Sequence, residues 1–256
     1  MENSATDAEL EGPRPARVDE REAILETIDL VHRTSVGRPP SMARDYPHVY
    51  APGNLGNVFV VKAGEKVVCS TGVWVNEIEL GGARLRVGGI NSVATLLEVR
   101  KRGLGTVVMQ AAQRRMRELG CHVGLLGTQI ANWYRRLGWE YGGTERSYRF
   151  DRGNIGLLPA LPQDIVREAF KEEMAEEVLA VHHADRLGGI RTPRLFDQLL
   201  SAKRISNAVV ARRGVEVIAY LLIRGQVAVE WGGPAEAIAG LKAQGFARSR
   251  IKVTRF

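Results

Sequence analysis

The run Val93-Ala94-Thr95-Leu96-Leu97-Glu98-Val99-Arg100-Lys101-Arg102-Gly103-Leu104-Gly105-Thr106 concentrates residue types that bind anions. An apolar strand leads into Arg-x-x-Gly-x-Gly, which opens an amphipathic helix. Glycines let a ligand approach the backbone N–H groups, and a helix N-terminus carries roughly half a positive charge. Arg100, Lys101 and Arg102 add full charges at the same end. The cradle suits a pyrophosphate. A Walker loop would need Gly-Lys-Ser/Thr, which is absent. A dinucleotide fingerprint needs G-x-G-x-x-G within a parallel βαβ unit, whereas hairpins precede this helix. A glycine-eased turn with solvated basic residues is the remaining reading of the segment taken alone.

The segment does not stand alone, because Asn132-Trp133-Tyr134-Arg135-Arg136-Leu137-Gly138-Trp139 follows about thirty residues on. The pair resembles the GCN5-related N-acetyltransferases, whose acetyl-CoA loop reads Arg/Gln-x-x-Gly-x-Gly/Ala. Their later motif reads Tyr-x-x-(Leu/Phe)-Gly-(Phe/Tyr/Trp). The resemblance covers roughly residues 15 to 150. Gly88-Gly89-Ile90-Asn91-Ser92-Val93-Ala94-Thr95 and a second, motif-poor unit look closer to the two-unit subgroup that includes the enhanced-intracellular-survival acetyltransferases. That subgroup usually adds a C-terminal sterol-carrier-like domain, which is not expected in this sequence.

The resemblance implies an acyl-CoA-dependent N-acyltransferase that moves acetyl from acetyl-CoA to a primary amine by direct attack in a ternary complex. It implies that the backbones of Val93, Ala94 and Thr95 bond the pantetheine amides. Lys101, Arg102, Gly103, Leu104, Gly105 and Thr106 would hold the pyrophosphate, with Arg100 at the rim. Tyr134 would be the general acid for the departing thiolate, a role open to a phenol of pKa about 10 that stays neutral at pH 7. The amine must attack as the free base, so a carboxylate or ordered water should accept its proton. The oxyanion wants backbone N–H donors, which a splayed strand before the loop would supply. This sequence departs from the family at Leu97, where many relatives have proline. It departs again at Gly127, which replaces a frequent cofactor-contacting asparagine, with Thr128 or Gln129 as substitutes.

Other residues carry weaker signals. Glu77 and Glu79 lie two apart on one strand face, as amine-binding or basic groups or as a solvated sheet face. His48, near Tyr46 and Tyr50, is a candidate for an acceptor cleft, and Glu98 reads as a cap or ion pair. His182-His183 has no partners at metal spacing, so no metal is expected. Cys121 reads as a core thiol, and neither cysteine lies in an electropositive loop that would favour an acyl-cysteine. The carboxylate of Phe256 could act as a base only in the geometry of the full subgroup. Acetyl-CoA as co-substrate and a small-molecule or peptide amine are therefore the expected partners.

The elements that must position these groups can be traced from the start. Residues 1–14 read as a polar leader, 15–152 as the catalytic unit and 153–256 as a second, degenerate copy. Asp19 onward has apolar positions at helical spacing, Ile24, Leu25, Ile28 and Val31. Two hairpins follow, one through Gly64 and one through Gly81-Gly82. Gly103 to Gly120 has a helical apolar face, HVGLL is a strand, and Trp133-Tyr134 lies on a short helix. Strands at 139–141 and 147–150 would complete the unit. In the second unit the pattern suggests a helix from Asp164 to about Leu179 and another near Arg194–Leu200. A hairpin through RRG, a strand at Val227–Trp231 and a final helix from Ala235 would follow, without a closing strand pair. The fold class is α/β, a mixed but mostly antiparallel sheet flanked by helices, followed by a second such unit.

Composition bounds the alternatives. The chain has 256 residues, 45% hydrophobic and 25% charged, which excludes a wholly disordered protein. Its net charge is +7, and Glu98–Arg152 holds eleven basic and five acidic residues, so +6 of it is local. Cofactor phosphates account for that field, and no interleaved aromatics or base-reading motif supports a nucleic-acid binder. With no bilayer-length apolar run, no signal-peptide pattern and two cysteines, a cytoplasmic protein without membrane partners is expected. A homo-oligomer is compatible. The alternative to an enzyme is a non-catalytic acyl-CoA-binding regulatory or sensor protein.

Overall fold

The computed structural model describes residues 9–142, 144–150, 153–184, 187–243 and 249–255. Its contacts divide the chain into two compact units, Met1–Ile78 with Arg84–Tyr141 and Glu79–Ala83 with Gly142–Phe256. In the first, β1 (Leu10–Pro15) leads to α1 (Arg21–His32) and the one-turn α2 (Met42–Asp45). Strands β2 (Val58–Ala63), β3 (Lys66–Leu80) and β4 (Ala83–Thr95) follow, then α3 (Leu104–Glu118), β5 (Val123–Leu125) and α4 (Ala131–Arg135). The strands β1 to β5 lie in sequence order across one sheet. The β1–β2 and β2–β3 pairs are antiparallel, and β4–β5 is parallel, with α3 as the crossover that a parallel pair requires.

β2 is buried along its whole length because both sheet faces are covered. Phe59 and Val61 face α3, against Val108, Met109, Ala112 and Met116. Val58 and Val60 face α1, against Ile24, Leu25 and Ile28. The period of two along β2 thus divides one strand between two cores. Each fully buried side chain of this size contributes about 1.5–3 kcal/mol.

The second unit contains β6 (Thr144–Phe150), β7 (Ile165–Ala169), α5 (Ala175–Ala184), the short β8 (Leu187–Gly189) and α6 (Pro193–Ala202). It continues through β9 (Asn207–Arg213), β10 (Glu216–Arg224), β11 (Val227–Gly232), α7 (Ala235–Ala243) and β12 (Ser249–Arg255). The sheet order is β6-β12-β11-β10-β9-β7, with β11–β12 parallel and the other pairs antiparallel. The path β7-β9-β10-β11-β12 repeats β1-β2-β3-β4-β5 in order, with α7 at the parallel crossover in place of α3. At that crossover the second unit has Gly233-Pro234-Ala235-Glu236 instead of Arg-x-x-Gly-x-Gly, and a glutamate in the first turn repels anions. The mixed, mostly antiparallel α/β class expected from the sequence is the one observed.

Several boundaries differ from the sequence reading. Residues Leu10–Pro15 form β1 on Phe59–Ala63 rather than leader. An edge strand tolerates proline, and Arg14 anchors this one by donating to both oxygens of Glu20 at 2.6 and 2.8 Å. Residues 139–141 form no strand; the Trp139 amide bonds back to Tyr134 O at 3.3 Å at the end of α4. β6 pairs with β12 in the second sheet, so it does not complete the first. The helix expected from Asp164 begins only at Ala175, since Ile165–Ala169 pairs with β9 as an edge strand. A strand, β12, does follow α7.

Candidate active site

β5 pairs with β4 only at Val87, Gly88 and Gly89. Beyond Gly89, β4 continues to Thr95 with no strand on that side among the described residues. Ser92, at φ 50°, puts a left-handed residue into the strand within this stretch. The result is a splayed pair whose longer member exposes an edge to which an extended chain can add by backbone hydrogen bonds. Ala94 has its side chain buried in the α1 core, so only its backbone is available there. The Val93 carbonyl accepts from His32 Nε2, and the Thr95 carbonyl accepts from Arg100 Nε, each at 3.1 Å. Each carbonyl retains a second lone pair.

The edge runs directly into the glycine loop. Lys101 (φ 63°) and Gly103 (φ 80°) are both left-handed, which turns successive amides outward. The amides of Thr106 and Val107 bond to Gly103 O at 3.0 and 3.2 Å, closing the first turn of α3. Among the described residues, the amides of 101–105 have no backbone acceptor. Lys101, Arg102 and Gly103 are exposed, whereas Leu104 is buried and anchors the turn to the core. Arg100 is exposed and donates from Nε to the Thr95 carbonyl, and the Thr106 amide is engaged within the first turn of α3.

Trp133 joins the two motifs. A Cβ on Gly105 would lie 3.3 Å from the Trp133 ring and 3.7 Å from Thr95 Oγ1, so the indole closes directly on the start of α3. Tyr134 stands edge-on to Trp133 with ring centroids 4.7 Å apart, and only 9% of its surface is exposed. Its hydroxyl has no hydrogen-bond partner among the described residues and is not fully enclosed. Burial pushes the phenol above its ordinary range. Gly138 (φ 85°) ends the segment, and Gln113 Nε2 donates to Leu137 O at 2.9 Å, tying it to α3. Trp139 then packs on Gly124, where a Cβ would meet the ring at 2.7 Å.

The remaining candidates have these surroundings. Glu77 pairs across the hairpin with Arg86 at 3.6 Å, and Glu79 follows it on β3. His48 is half-buried, edge-on to Trp74 at 4.9 Å, and burial lowers its pKa. Gln129 is exposed ahead of α4, and Thr128 is occupied by the Ile130 amide at 3.0 Å. Glu98 binds Lys66 at 2.8 Å, as an ion pair at the loop. His182 is held by Tyr220 and the Gly189 carbonyl at 3.0 and 2.8 Å, and His183 accepts from the Arg191 amide. His32, which meets the open edge, is not marked in the sequence: it is one histidine at the end of an amphipathic helix, and the docking of α1 on β4 gives it its place.

No helix among the described residues is long and apolar enough to cross a membrane. Comparison with solved structures shows the fold. A GCN5-related N-acetyltransferase from Kribbella flavida aligns with TM-score 0.76 and 19% identity, covering 98% of this chain and 66% of that one. A conserved protein from Enterococcus faecalis V583, described as a probable N-acyltransferase, aligns with TM-score 0.75 and 16% identity over 96% and 65% of the two chains. Eis1 from Mycobacterium abscessus aligns with TM-score 0.66 and 16% identity, covering 95% and 65%. The chain thus spans about two thirds of the length of these structures. A search of curated proteins finds no match. The family description "Acetyltransferase (GNAT) domain" matches residues 13–142, a span that contains the open edge, the glycine loop and Tyr134. The chain belongs to the GNAT acetyltransferase family.

Proposed function

We propose that the chain is an acyl-CoA-dependent N-acyltransferase that transfers acetyl from acetyl-CoA to a primary amine by direct attack in a ternary complex. The observation that carries this reading is continuity. The free edge of β4 leads straight into amides that have no backbone acceptor among the described residues, and Trp133, which packs on Gly105, meets the Tyr134 ring edge-on. An extended amide-bearing arm that ends in a diphosphate fits both parts. Acetyl-CoA has that form and supplies an activated thioester carbonyl.

The backbones of Val93, Ala94 and Thr95 orient the arm as an added strand. The amides from Lys101 to Gly105 and the positive end of α3 hold the diphosphate, while Lys101 and Arg102 add charge. Gln129 takes over part of the contact that Gly127 cannot make. Tyr134 keeps its proton at neutral pH, since burial disfavours the phenolate, and delivers it to the leaving sulfur. On the acceptor side, His48 packed edge-on against Trp74 offers an aromatic wall for the amine of a small molecule or peptide.

The test combines calorimetric binding of CoA with thiol release from acetyl-CoA across a panel of primary amines. Tyr134→Phe should lower kcat by about 100-fold or more, in the range of lost general-acid catalysis. Its CoA affinity should stay within about twofold, because the hydroxyl has no hydrogen-bond partner to lose among the described residues. CoA binding without turnover on any amine would instead indicate a sensor. Equal loss of affinity and turnover would remove Tyr134 from the chemistry.

A further inference from the structure

We propose, resting on the reading above, that His32 accepts the proton of the attacking amine. Its Nε2 lies 3.1 Å from the carbonyl oxygen of Val93, on the open edge of β4. A carbonyl only accepts, so Nε2 carries the hydrogen and the neutral ring has its lone pair at Nδ1. Among the described residues Nδ1 has no hydrogen-bond partner, and it is not fully enclosed.

The charged groups around the ring are engaged elsewhere. Asp29, one turn back on α1, accepts the amides of Ser41 and Met42 at 2.8 and 3.1 Å. Arg33 donates to Ser41 and Asp45 at 2.9 and 3.1 Å. Arg100, from the loop, is turned to Thr95. None of them competes for Nδ1. Burial disfavours the imidazolium, and the nearby charges of Arg33 and Arg100 act in the same direction. The Val93 carbonyl and Asp29 act against them, and the balance keeps the pKa below the ordinary histidine range. The lone pair is therefore available at neutral pH.

His32 and Tyr134 border the same short stretch of strand. The first sits on Val93, and the second is set by Trp133, which packs on Gly105 close to Thr95. This matches the two proton transfers that amide formation needs. As the C–N bond forms, the nitrogen gives one proton to His32 Nδ1, making the ring an imidazolium. As the C–S bond breaks, the sulfur takes the Tyr134 proton. Exchange with solvent returns both residues to their starting states, so protons balance.

His32→Gln and His32→Ala test the assignment. Glutamine can still donate to the Val93 carbonyl but cannot accept a proton to become cationic. Both variants should lose kcat by about 100-fold with CoA affinity within about twofold, and the acidic limb of the kcat/KM profile should vanish. Added imidazole should restore part of the activity of His32→Ala. Nitrogen chemical shifts of the free protein should report the Nε2–H tautomer with a pKa below that of an ordinary histidine. An Nδ1–H tautomer, an unchanged acidic limb in His32→Gln, or loss of CoA affinity in step with kcat would overturn the proposal. A wild-type chain that binds no CoA would overturn the functional reading, and the role of His32 with it. Turnover by wild type that is lost in Tyr134→Phe but kept in His32→Gln would overturn only the latter.

Discussion

Trp133 lies so close to Gly105 that a single added carbon would stand 3.3 Å from its ring. The contact links the glycine loop at the head of α3 to the helix that carries Tyr134, so the two motifs pack together. Gly105→Ala should therefore lower CoA affinity several-fold by displacing Trp133, while stability changes little. The gain of helix propensity, about 0.5–1 kcal/mol, offsets the crowding. Gly105→Val should lose far more affinity. Calorimetry with CoA beside thermal melts separates the two effects.

Gly103 poses a different constraint. It has φ 80°, and a Cβ there meets nothing within 4 Å. Gly103→Ala should cost about 1 kcal/mol or slightly more through backbone strain alone. It should also weaken CoA binding, because the strained loop relaxes its outward amides. Gly103→Asn should recover part of both losses, since asparagine tolerates the left-handed region.

The ring of Trp139 occupies the space above Gly124, where a Cβ would stand 2.7 Å from it. An indole cannot fold aside as a methionine can. Gly124→Ala should destabilise the first unit by about 1–3 kcal/mol, the range for overpacking. Urea denaturation followed by tryptophan fluorescence measures this directly. An unchanged midpoint would show that the ring moves freely.

Acid should weaken the fold through Glu20 and Glu230. Hydrogen bonds from Arg14 hold Glu20 at about 2. Burial opposes the charge of Glu230, but Lys203 and Arg191 outweigh it and hold this carboxyl at about 2 as well. Both values lie below that of the unfolded chain. Their stabilisation is therefore present above about pH 4.5 and lost as pH falls towards 2, on the order of 3 kcal/mol each. Glu230→Gln should lower stability at pH 7, leaving Arg191 and Lys203 without their anion, and should flatten part of the acid loss. Denaturation midpoints between pH 7 and pH 2.5 provide the comparison.

The parts legible in the sequence are those set by local backbone demands. The left-handed Gly103, the apolar face of α3 and the two-residue turn at Gly81-Gly82 each declare themselves within a few residues. The same holds for the short helix around Tyr134 and its stop at Gly138. Pairing over long distance is not written locally. Ile165–Ala169 reads as helix until β9 supplies its hydrogen bonds, and Thr144–Phe150 joins the sheet of β12, about a hundred residues later. Leu10–Pro15 becomes a strand only because β2 offers an edge and Glu20 receives Arg14.

Residue type and spacing by themselves determined a glycine turn with exposed cations at the head of a helix, a nearby tyrosine and an α/β sheet, since these follow from glycine conformations and apolar periods. Tertiary structure alone decided which strand edge stays open, which carbonyls Arg100 and His32 reach, and that Trp133 closes on Gly105. Those relations join residues far apart in the chain, and only packing of α1, β4 and α4 against a shared core fixes their distances.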